Sequence, residues 1–163
     1  MSHTDDLLAN NADYARSFAK GDLGAPPARR VAVVACMDAR LNVYGALGLS
    51  EGDCHVIRNA GGAVTDDVIR SLVISQRLLG TEEIMLIHHT ECGMQSFRDD
   101  ELRASIEQDT GIRPPWAAEA FTDLDRDVRQ SIARVKTSPF IPYKDSVRGF
   151  VYEVATGRLR EVS

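Results

Sequence analysis

The stretch at residues 83–93, EIMLIHHTECG, constrains the fold of this chain more than any other. Its apolar run, residues 84–87, shows no polar alternation, which is typical of a strand that is buried on both faces. The run leads directly into His88, His89 and Cys92. In open α/β sheets, ligands collect at the carboxyl ends of the strands. The stretch therefore predicts a buried strand that delivers metal-binding side chains to one edge of a sheet.

Shorter apolar runs elsewhere repeat this pattern. Residues 31–35 (VAVVA) lead into Cys36, and residues 54–57 form a further short strand. Thr65 is a suitable N-cap for a helix whose periodic apolar face ends before Gly80. The remaining predicted elements are a glycine-rich flexible loop at 58–62, helices at 41–49, 94–109 and 119–136, and a terminal strand at 148–155 with a turn at 156–157.

The order of these elements predicts the fold class. Three β–α units, a further helix and a terminal strand are typical of a three-layer α/β fold, in which helices flank a mainly parallel sheet. The chain has 163 residues, so we expect a single domain at 1–163. Within it we distinguish an N-terminal helical arm (1–25), a zinc-site core (30–110) and a C-terminal strand region (147–163). The arm is predicted to contain a helix at 4–20 with Thr4 as its N-cap and an apolar stripe of Leu7, Leu8, Tyr14 and Phe18.

Composition excludes several classes of partner. The net charge of −5 and the lack of any run of basic residues argue against nucleic acid or an anionic membrane surface. Charged residues interrupt every apolar run well short of membrane-spanning length, and the acidic N-terminus has no apolar core of a secretory signal. Three cysteines are an odd number, which disfavours a disulfide framework. We therefore expect a cytoplasmic location.

Candidate metal ligands follow two of the predicted strands. Cys36 follows the first strand, and His89 and Cys92 follow the strand at residues 83–88. If these strands are neighbours, two thiolates and one imidazole converge, and this donor set suits Zn²⁺. Three protein ligands leave a fourth position open, as in catalytic rather than structural zinc sites. Spacing alone hardly separates His88 from His89, but the two side chains of an extended segment face opposite ways, so only one should serve.

Other polar residues near these ligands need separate interpretation. Asp38 and Arg40 lie two and four residues after Cys36, which favours a functional pair over a surface ion pair. Cys54 is interpreted as a structural strand residue; as a fourth ligand it would close the zinc site. His55 is expected to be a strand or surface residue.

Three motifs together resemble the β-class carbonic anhydrases, and in particular their short bacterial members. They are Cys36-Met-Asp-Ala-Arg40, Arg58-Asn-Ala-Gly61 and His89-Thr-Glu-Cys-Gly93, in this order and with about fifty residues between the first cysteine and the histidine. The similarity is dense over residues 31–93 and extends to residues 149–157. Three motifs in order are far more specific than any one of them.

The resemblance implies a zinc lyase that hydrates CO2 to bicarbonate and a proton by zinc-bound hydroxide. One Zn²⁺ per chain would be bound by Cys36, His89 and Cys92. Asp38 would accept a hydrogen bond from the hydroxide, and Arg40 would hold Asp38 by a charge-assisted pair. In some family members this aspartate leaves the arginine and becomes a conditional fourth metal ligand, which closes the site. The family also implies a homodimer or a dimer of dimers, with the N-terminal helix lying over the neighbour.

Departures from the family pattern keep alternatives open. The chain has no glutamine before Gln76, whereas longer relatives have one ahead of the first strand, and residues 93–97 read GMQSF where many members have small residues. One alternative is a hydrolase of a CO2 analogue, CS2 or COS, on the same fold. Another is a non-catalytic zinc-binding or redox thiol protein, which would have no need for the Asp38-x-Arg40 pair. A zinc deaminase is disfavoured because its P-C-x-x-C motif is missing.

Overall fold

The computed structural model describes residues 2–163, so residue 1 of the predicted domain lies outside it. The α-helices of this part are α1 (His3–Ser17), α2 (Val43–Leu47), α3 (Asp66–Arg77), α4 (Asp99–Thr110) and α5 (Leu124–Thr137). Its strands are β1 (Val31–Cys36), β2 (Cys54–Asn59), β3 (Glu83–His89), β4 (Val147–Tyr152) and β5 (Leu159–Val162). Short 3-10 turns lie at Ala60–Gly62 and Gly93–Gln95.

The five strands form one sheet in the order β2-β1-β3-β4-β5. The first four strands are parallel, and β5 returns antiparallel to β4 after the predicted turn at residues 156–157. The mainly parallel α/β sheet predicted from the sequence is therefore confirmed. The strands β1 and β3 are hydrogen-bonded neighbours, with Ala35 opposite Ile87, so the ligand candidates that follow them end at the same edge.

Both central strands are buried on both faces, as their uninterrupted apolar runs predict. On one face, Val34 and Leu86 pack with Leu72 of α3 and Val135 of α5. On the other face, residues such as Ile87 pack with the loop and short helix α2 that follow β1. The flanking layers are thus unequal: α3 and α5 cover one face, and α2 and irregular segments lie against the other.

The N-terminal helix begins earlier than predicted. Its N-cap is Ser2, not Thr4, because the Ser2 hydroxyl accepts from the Asp5 N–H while the Asp5 carboxylate accepts from the Ser2 N–H, a capping box. The helix ends at Ser17 rather than residue 20. The predicted apolar stripe is exposed in this chain, and the helix side chains reach the body of the protein through a hydrogen bond from Tyr14 Oη to Glu51 Oε1 of 3.2 Å.

Two other helix predictions are too long. The predicted helix at 94–109 is a 3-10 turn followed by α4, which starts only at Asp99. The N-cap residue Arg98 makes no side-chain cap, and the Asp99 carboxylate accepts from three backbone N–H groups of residues 118–120. The predicted helix at 119–136 starts only at Leu124, since Glu119 has a positive φ of 64° and Asp123 is the N-cap. The predicted elements at 41–49 and 148–155 likewise shorten to Val43–Leu47 and Val147–Tyr152.

Candidate metal centre

Three ligand candidates converge at the carboxyl edge of the sheet. The Sγ atoms of Cys36 and Cys92 and a ring nitrogen of His89 lie within 4.8 Å of one another, and all three side chains are buried. They meet because β1 and β3 are adjacent and Cys92 follows β3 after a tight turn. Two sulfurs and one imidazole nitrogen at these separations form a donor set that suits Zn²⁺.

The structure separates the two adjacent histidines. His89 lies with the two cysteines, whereas His88 points to the opposite face of the sheet, where its Nδ1 is 3.0 Å from Asp127 Oδ2 and its Nε2 is 3.5 Å from Ser131 Oγ. This is the alternation expected of a strand. His88 is thus a buried contact to α5 and not a ligand candidate.

The His89 ring is oriented for metal binding. Its Nδ1 lies 2.9 Å from the Thr90 carbonyl, which can only accept, so Nδ1 carries the proton. Its Nε2 is then a bare lone pair that is buried and has no hydrogen-bond partner in residues 2–163; the nearest carboxylate oxygen, Asp38 Oδ2, is 3.7 Å away. A buried acceptor without a donor is destabilising. A zinc ion between this nitrogen and the two sulfurs would satisfy it.

The thiols are electrostatically prepared for a cation. A hydrogen bond from Cys92, supported by the His89 ring, lowers the pKa of Cys36 to about 4. The same bond raises the pKa of Cys92, and burial adds to that effect. Burial lowers the pKa of His89, but the neighbouring Cys36 sulfur and the Thr90 carbonyl outweigh it and leave that pKa raised. One sulfur is therefore ready to ionise, while the other releases its proton when a metal binds.

Asp38 and Arg40 form a two-pronged ion pair beside these ligands. Arg40 Nε donates to Asp38 Oδ1 at 3.0 Å and Arg40 Nη2 to Oδ2 at 2.8 Å, while the Arg40 backbone N–H donates to Oδ1 at 2.9 Å. The Arg40 side chain, with its backbone N–H, holds the pKa of Asp38 well below its ordinary value. Asp38 is therefore an ionised acceptor with a fixed orientation, and one of its oxygens faces His89.

Arg58 supports this region, a role that was not predicted from the sequence. Its Nε donates to the Cys36 carbonyl at 2.8 Å and its Nη2 to the Asp38 carbonyl at 2.7 Å. Arg58 reaches them because β2 is parallel to β1, with Asn59 opposite Cys36. The signal available in the sequence was a basic residue at the end of a neighbouring strand.

The predicted flexible loop at residues 58–62 is instead an ordered strand end and 3-10 turn. Gly62 has a positive φ of 65°, and a Cβ built on it would lie 3.0 Å from Cys36 N, 3.1 Å from Ala35 C and 3.1 Å from Ile87 O. The expected close backbone approach thus occurs against the ends of β1 and β3.

Cys54 and His55 lie away from this centre. Cys54 pairs in register with Val31, at the amino end of β1, while Cys36 is at the carboxyl end. His55 Nδ1 lies 2.7 Å from Ser75 Oγ on α3. The alternative in which Cys54 is a fourth ligand is therefore wrong, and His55 is the strand residue that was expected.

Comparison with known proteins identifies the family. A family model described as carbonic anhydrase matches residues 31–120. Beta-carbonic anhydrase 1 of Mycobacterium tuberculosis is 60% identical over 163 residues, which cover 100% of this chain and 99% of that protein. The chain belongs to the β-carbonic anhydrase family.

Solved structures and further relatives agree with the family assignment. A carbonic anhydrase from Streptococcus mutans superposes with a TM-score of 0.93 at 46% identity, covering 100% of this chain and 99% of that one. A carbon disulfide hydrolase of Acidithiobacillus thiooxidans is 36% identical over 98% of this chain and 90% of its own length. The resemblance predicted from the three motifs, the fold class and the assignment to a family of carbonate dehydratases are confirmed.

Proposed function

We propose that this β-carbonic anhydrase family member is a zinc-dependent lyase that reversibly hydrates CO2 to bicarbonate and a proton. The observation that carries the proposal is the buried Cys36–His89–Cys92 donor set with the Asp38–Arg40 pair beside it. One Zn²⁺ per chain is expected at these three ligands, where it would supply an activated water, because zinc lowers the pKa of water that it binds. Two thiolates formally cancel the metal charge, so the orienting groups matter more than in an all-histidine site.

Asp38 supplies the orientation. Its depressed pKa keeps it ionised, so it can only accept hydrogen bonds. A water molecule next to Asp38 Oδ2 must turn a hydrogen toward that oxygen and a lone pair away from it, toward the carbon of CO2. Arg40 fixes both carboxylate oxygens and so limits their rotation. Attack forms the C–O bond of bicarbonate, and the proton leaves to solvent.

Metal analysis is the first test of this proposal. We expect about one zinc per chain, lost in Cys36→Ser and in His89→Ala because each removes a ligand. Cys54→Ser is the matched control, since Cys54 lies at the other end of the sheet, and it should keep its zinc. A native protein without metal would contradict the proposal.

Stopped-flow CO2 hydration across pH is the second test. Wild type should exceed the buffer rate, and Asp38→Ala should lose most of that rate while keeping its zinc. Rates no better than buffer at every pH would favour the non-catalytic zinc-binding or redox thiol protein.

A second candidate function is hydrolysis of CS2 or COS. It is favoured by relatives named carbon disulfide hydrolase that match nearly the whole chain, such as the one from Acidithiobacillus thiooxidans. Activity on CS2 without activity on CO2 would select it.

We further propose that the chain is one domain that assembles as a homodimer or a dimer of dimers in the cytoplasm. The exposed apolar side chains of α1, such as Leu7 and Leu8 at 67% and 64% exposure, support a role for the 1–25 arm in contacting a second copy of the chain. As to membranes, every helix within residues 2–163 is too short or too polar to cross one. Light scattering of the full chain and of a form without the arm tests the assembly; a monomeric full chain would refute it.

A further inference from the structure

Arg40 is shared between two carboxylates. One side of its guanidinium holds Asp38, and the other side reaches across to the turn after β3, where Nη1 lies 3.2 Å from Glu91 Oε2 and Nη2 donates to the Glu91 carbonyl at 3.0 Å. Glu91 is 51 residues away in sequence and carries no role in the metal centre described above. The function proposed for Arg40 needs only Asp38, so the second carboxylate calls for an explanation.

The backbone of Glu91 is held in an unusual conformation. Its φ is +55°, a left-handed conformation that is unfavourable for a residue with a side chain. The residue lies between the ligand candidates His89 and Cys92, and in this conformation both its carbonyl and its carboxylate contact Arg40. A strained residue that contacts Arg40 through two of its atoms is a candidate for a functional role.

Asp38 also faces two positive charges once a metal is bound. Its Oδ2 atom accepts from Arg40 Nη2 at 2.8 Å and lies 3.7 Å from His89 Nε2, the atom oriented toward the metal position. A cation held by His89 Nε2 would therefore compete with Arg40 for the same carboxylate oxygen. The free-energy difference between these two placements depends on how well Arg40 is neutralised when Asp38 leaves it.

We propose that Glu91 is a positioning residue that competes with Asp38 for Arg40 and thereby shifts Asp38 toward the metal. The inference rests on the proposed function, since it requires a metal at the Cys36–His89–Cys92 site. Two effects have the same sign. Glu91 repels the like-charged Asp38 while both contact Arg40, and it keeps Arg40 paired after Asp38 has moved. Removing the Glu91 charge should therefore hold Asp38 on Arg40 and favour the open site.

The size of the effect follows from exposure. The Arg40 and Glu91 side chains are 50% and 71% exposed, so their pair is partly screened by solvent. Exposed ion pairs change equilibria by about two- to fivefold. We expect a shift of that size in the ratio of metal-ligated to arginine-paired Asp38.

The test uses the full-length protein loaded with Co²⁺ in place of zinc, whose visible spectrum reports the metal's ligands. Glu91→Gln removes the charge and keeps the side-chain length, and Glu101→Gln, an exposed glutamate on α4, makes the same charge change elsewhere. Asp38→Asn serves as the spectral reference for a site without the aspartate. At one fixed pH, the ratio of metal-ligated to arginine-paired Asp38 should fall about two- to fivefold in Glu91→Gln, which brings its spectrum closer to the reference. The spectrum of Glu101→Gln should match that of wild type. Glu91→Gly removes the side chain without the strain of a positive φ and should reproduce the shift if the glutamine variant does not fold.

Three results would overturn the inference: equal spectra for wild type and both Glu91 variants, a shift away from the reference, or a wild-type spectrum already identical to the reference. CO2 hydration on the same samples separates this inference from the proposed function. A Co²⁺ or Zn²⁺ protein that does not hydrate CO2 refutes the function, while its spectra still report Asp38. A wild-type protein that hydrates CO2 but shares its Co²⁺ spectrum with both Glu91 variants refutes only the role of Glu91.

Discussion

Gly62 offers the sharpest test of how the fold builds the metal centre. The change Gly62→Ala adds one methyl group at a residue with φ +65°, directly against the backbone of Cys36, Ala35 and Ile87. None of these three contacts can yield by a side-chain rotation, because two belong to β1 and the third is a β3 carbonyl. The methyl group must therefore displace strand ends that carry the ligand candidates.

The expected loss of stability has two parts. A left-handed backbone disfavours alanine by about 1–2 kcal/mol relative to glycine. Contacts of 3.0 to 3.1 Å are tighter than nine in ten contacts of real Cβ atoms. Overpacking of this kind destabilises by roughly 1–3 kcal/mol. We expect a total of about 2–5 kcal/mol, which for a chain of this size lowers Tm by roughly 5–15 °C.

Gly48→Ala is the matched control, because Gly48 has φ +62° and open space where the methyl group would lie. It should show only the backbone part, about 1–2 kcal/mol. Thermal unfolding of zinc-loaded proteins at one concentration measures both, and zinc analysis of the same samples should show partial metal loss in Gly62→Ala alone. Equal Tm shifts with full zinc in both variants would refute the argument that Gly62 is required by the close approach.

Three further predictions concern the site and the core. Arg58→Ala should lower the rate of CO2 hydration by roughly 10- to 100-fold, because the Cys36 and Asp38 carbonyls lose their hydrogen-bond donor. Zinc should stay near one per chain, since no ligand is removed. An unchanged rate would contradict this role of Arg58. The pKa of Asp38 is depressed from an ordinary 3.8, so the ionised carboxylate contributes its full stability above pH 3.8 and loses it only as pH falls through the lower folded pKa. The Tm difference between wild type and Asp38→Asn should therefore stay constant from about pH 8 to pH 5 at equal zinc content. A decline of this difference within that range would contradict the prediction. Leu72→Ala should lower the free energy of unfolding by about 2–5 kcal/mol in a thermal or urea melt, because Leu72 is fully buried between α3 and the sheet, and zinc content should not change.

The ligand candidates could be predicted from sequence because their placement is local to strand ends. An apolar run long enough to be a buried strand fixes where the strand stops, and Cys36 and His89 lie at those stops. Because β1 and β3 are parallel neighbours, their carboxyl ends meet at one edge of the sheet, and Cys36 and His89 lie close together there. His88 and His89 could not be distinguished by spacing, since alternation shows only that they differ; the side of the sheet that α5 covers decides which one is left for the metal.

Helix boundaries were less predictable where an irregular segment precedes the first helical residue. No side chain caps the start of α4, and the Asp99 carboxylate in its first turn instead accepts N–H groups from residues 118–120, nineteen to twenty-one residues away. Before α5, Glu119 adopts a positive φ that interrupts the predicted helix. The sequence does not reveal this conformation, because Glu119 is not a glycine. The predicted N-cap of α1, Thr4, was wrong for a simpler reason: Ser2 and Asp5 form a capping box, which places the N-cap at Ser2.

The groups that orient the chemistry depend on contacts between residues far apart in the sequence. Arg58 reaches the Asp38 carbonyl across 20 residues, and Glu91 reaches Arg40 across 51, each through sheet register or a left-handed turn. We therefore expect metal binding to depend on the ligands at the strand ends, and the orientation of Asp38 to depend on contacts between those ends. Substitutions of the two kinds should therefore separate experimentally: changes at Cys36 or His89 remove zinc and activity together, and changes at Arg58 or Glu91 alter the rate or the spectrum of a protein that keeps its metal. A loss of metal in the second group equal to that in the first would show that orientation and binding are one property of this site.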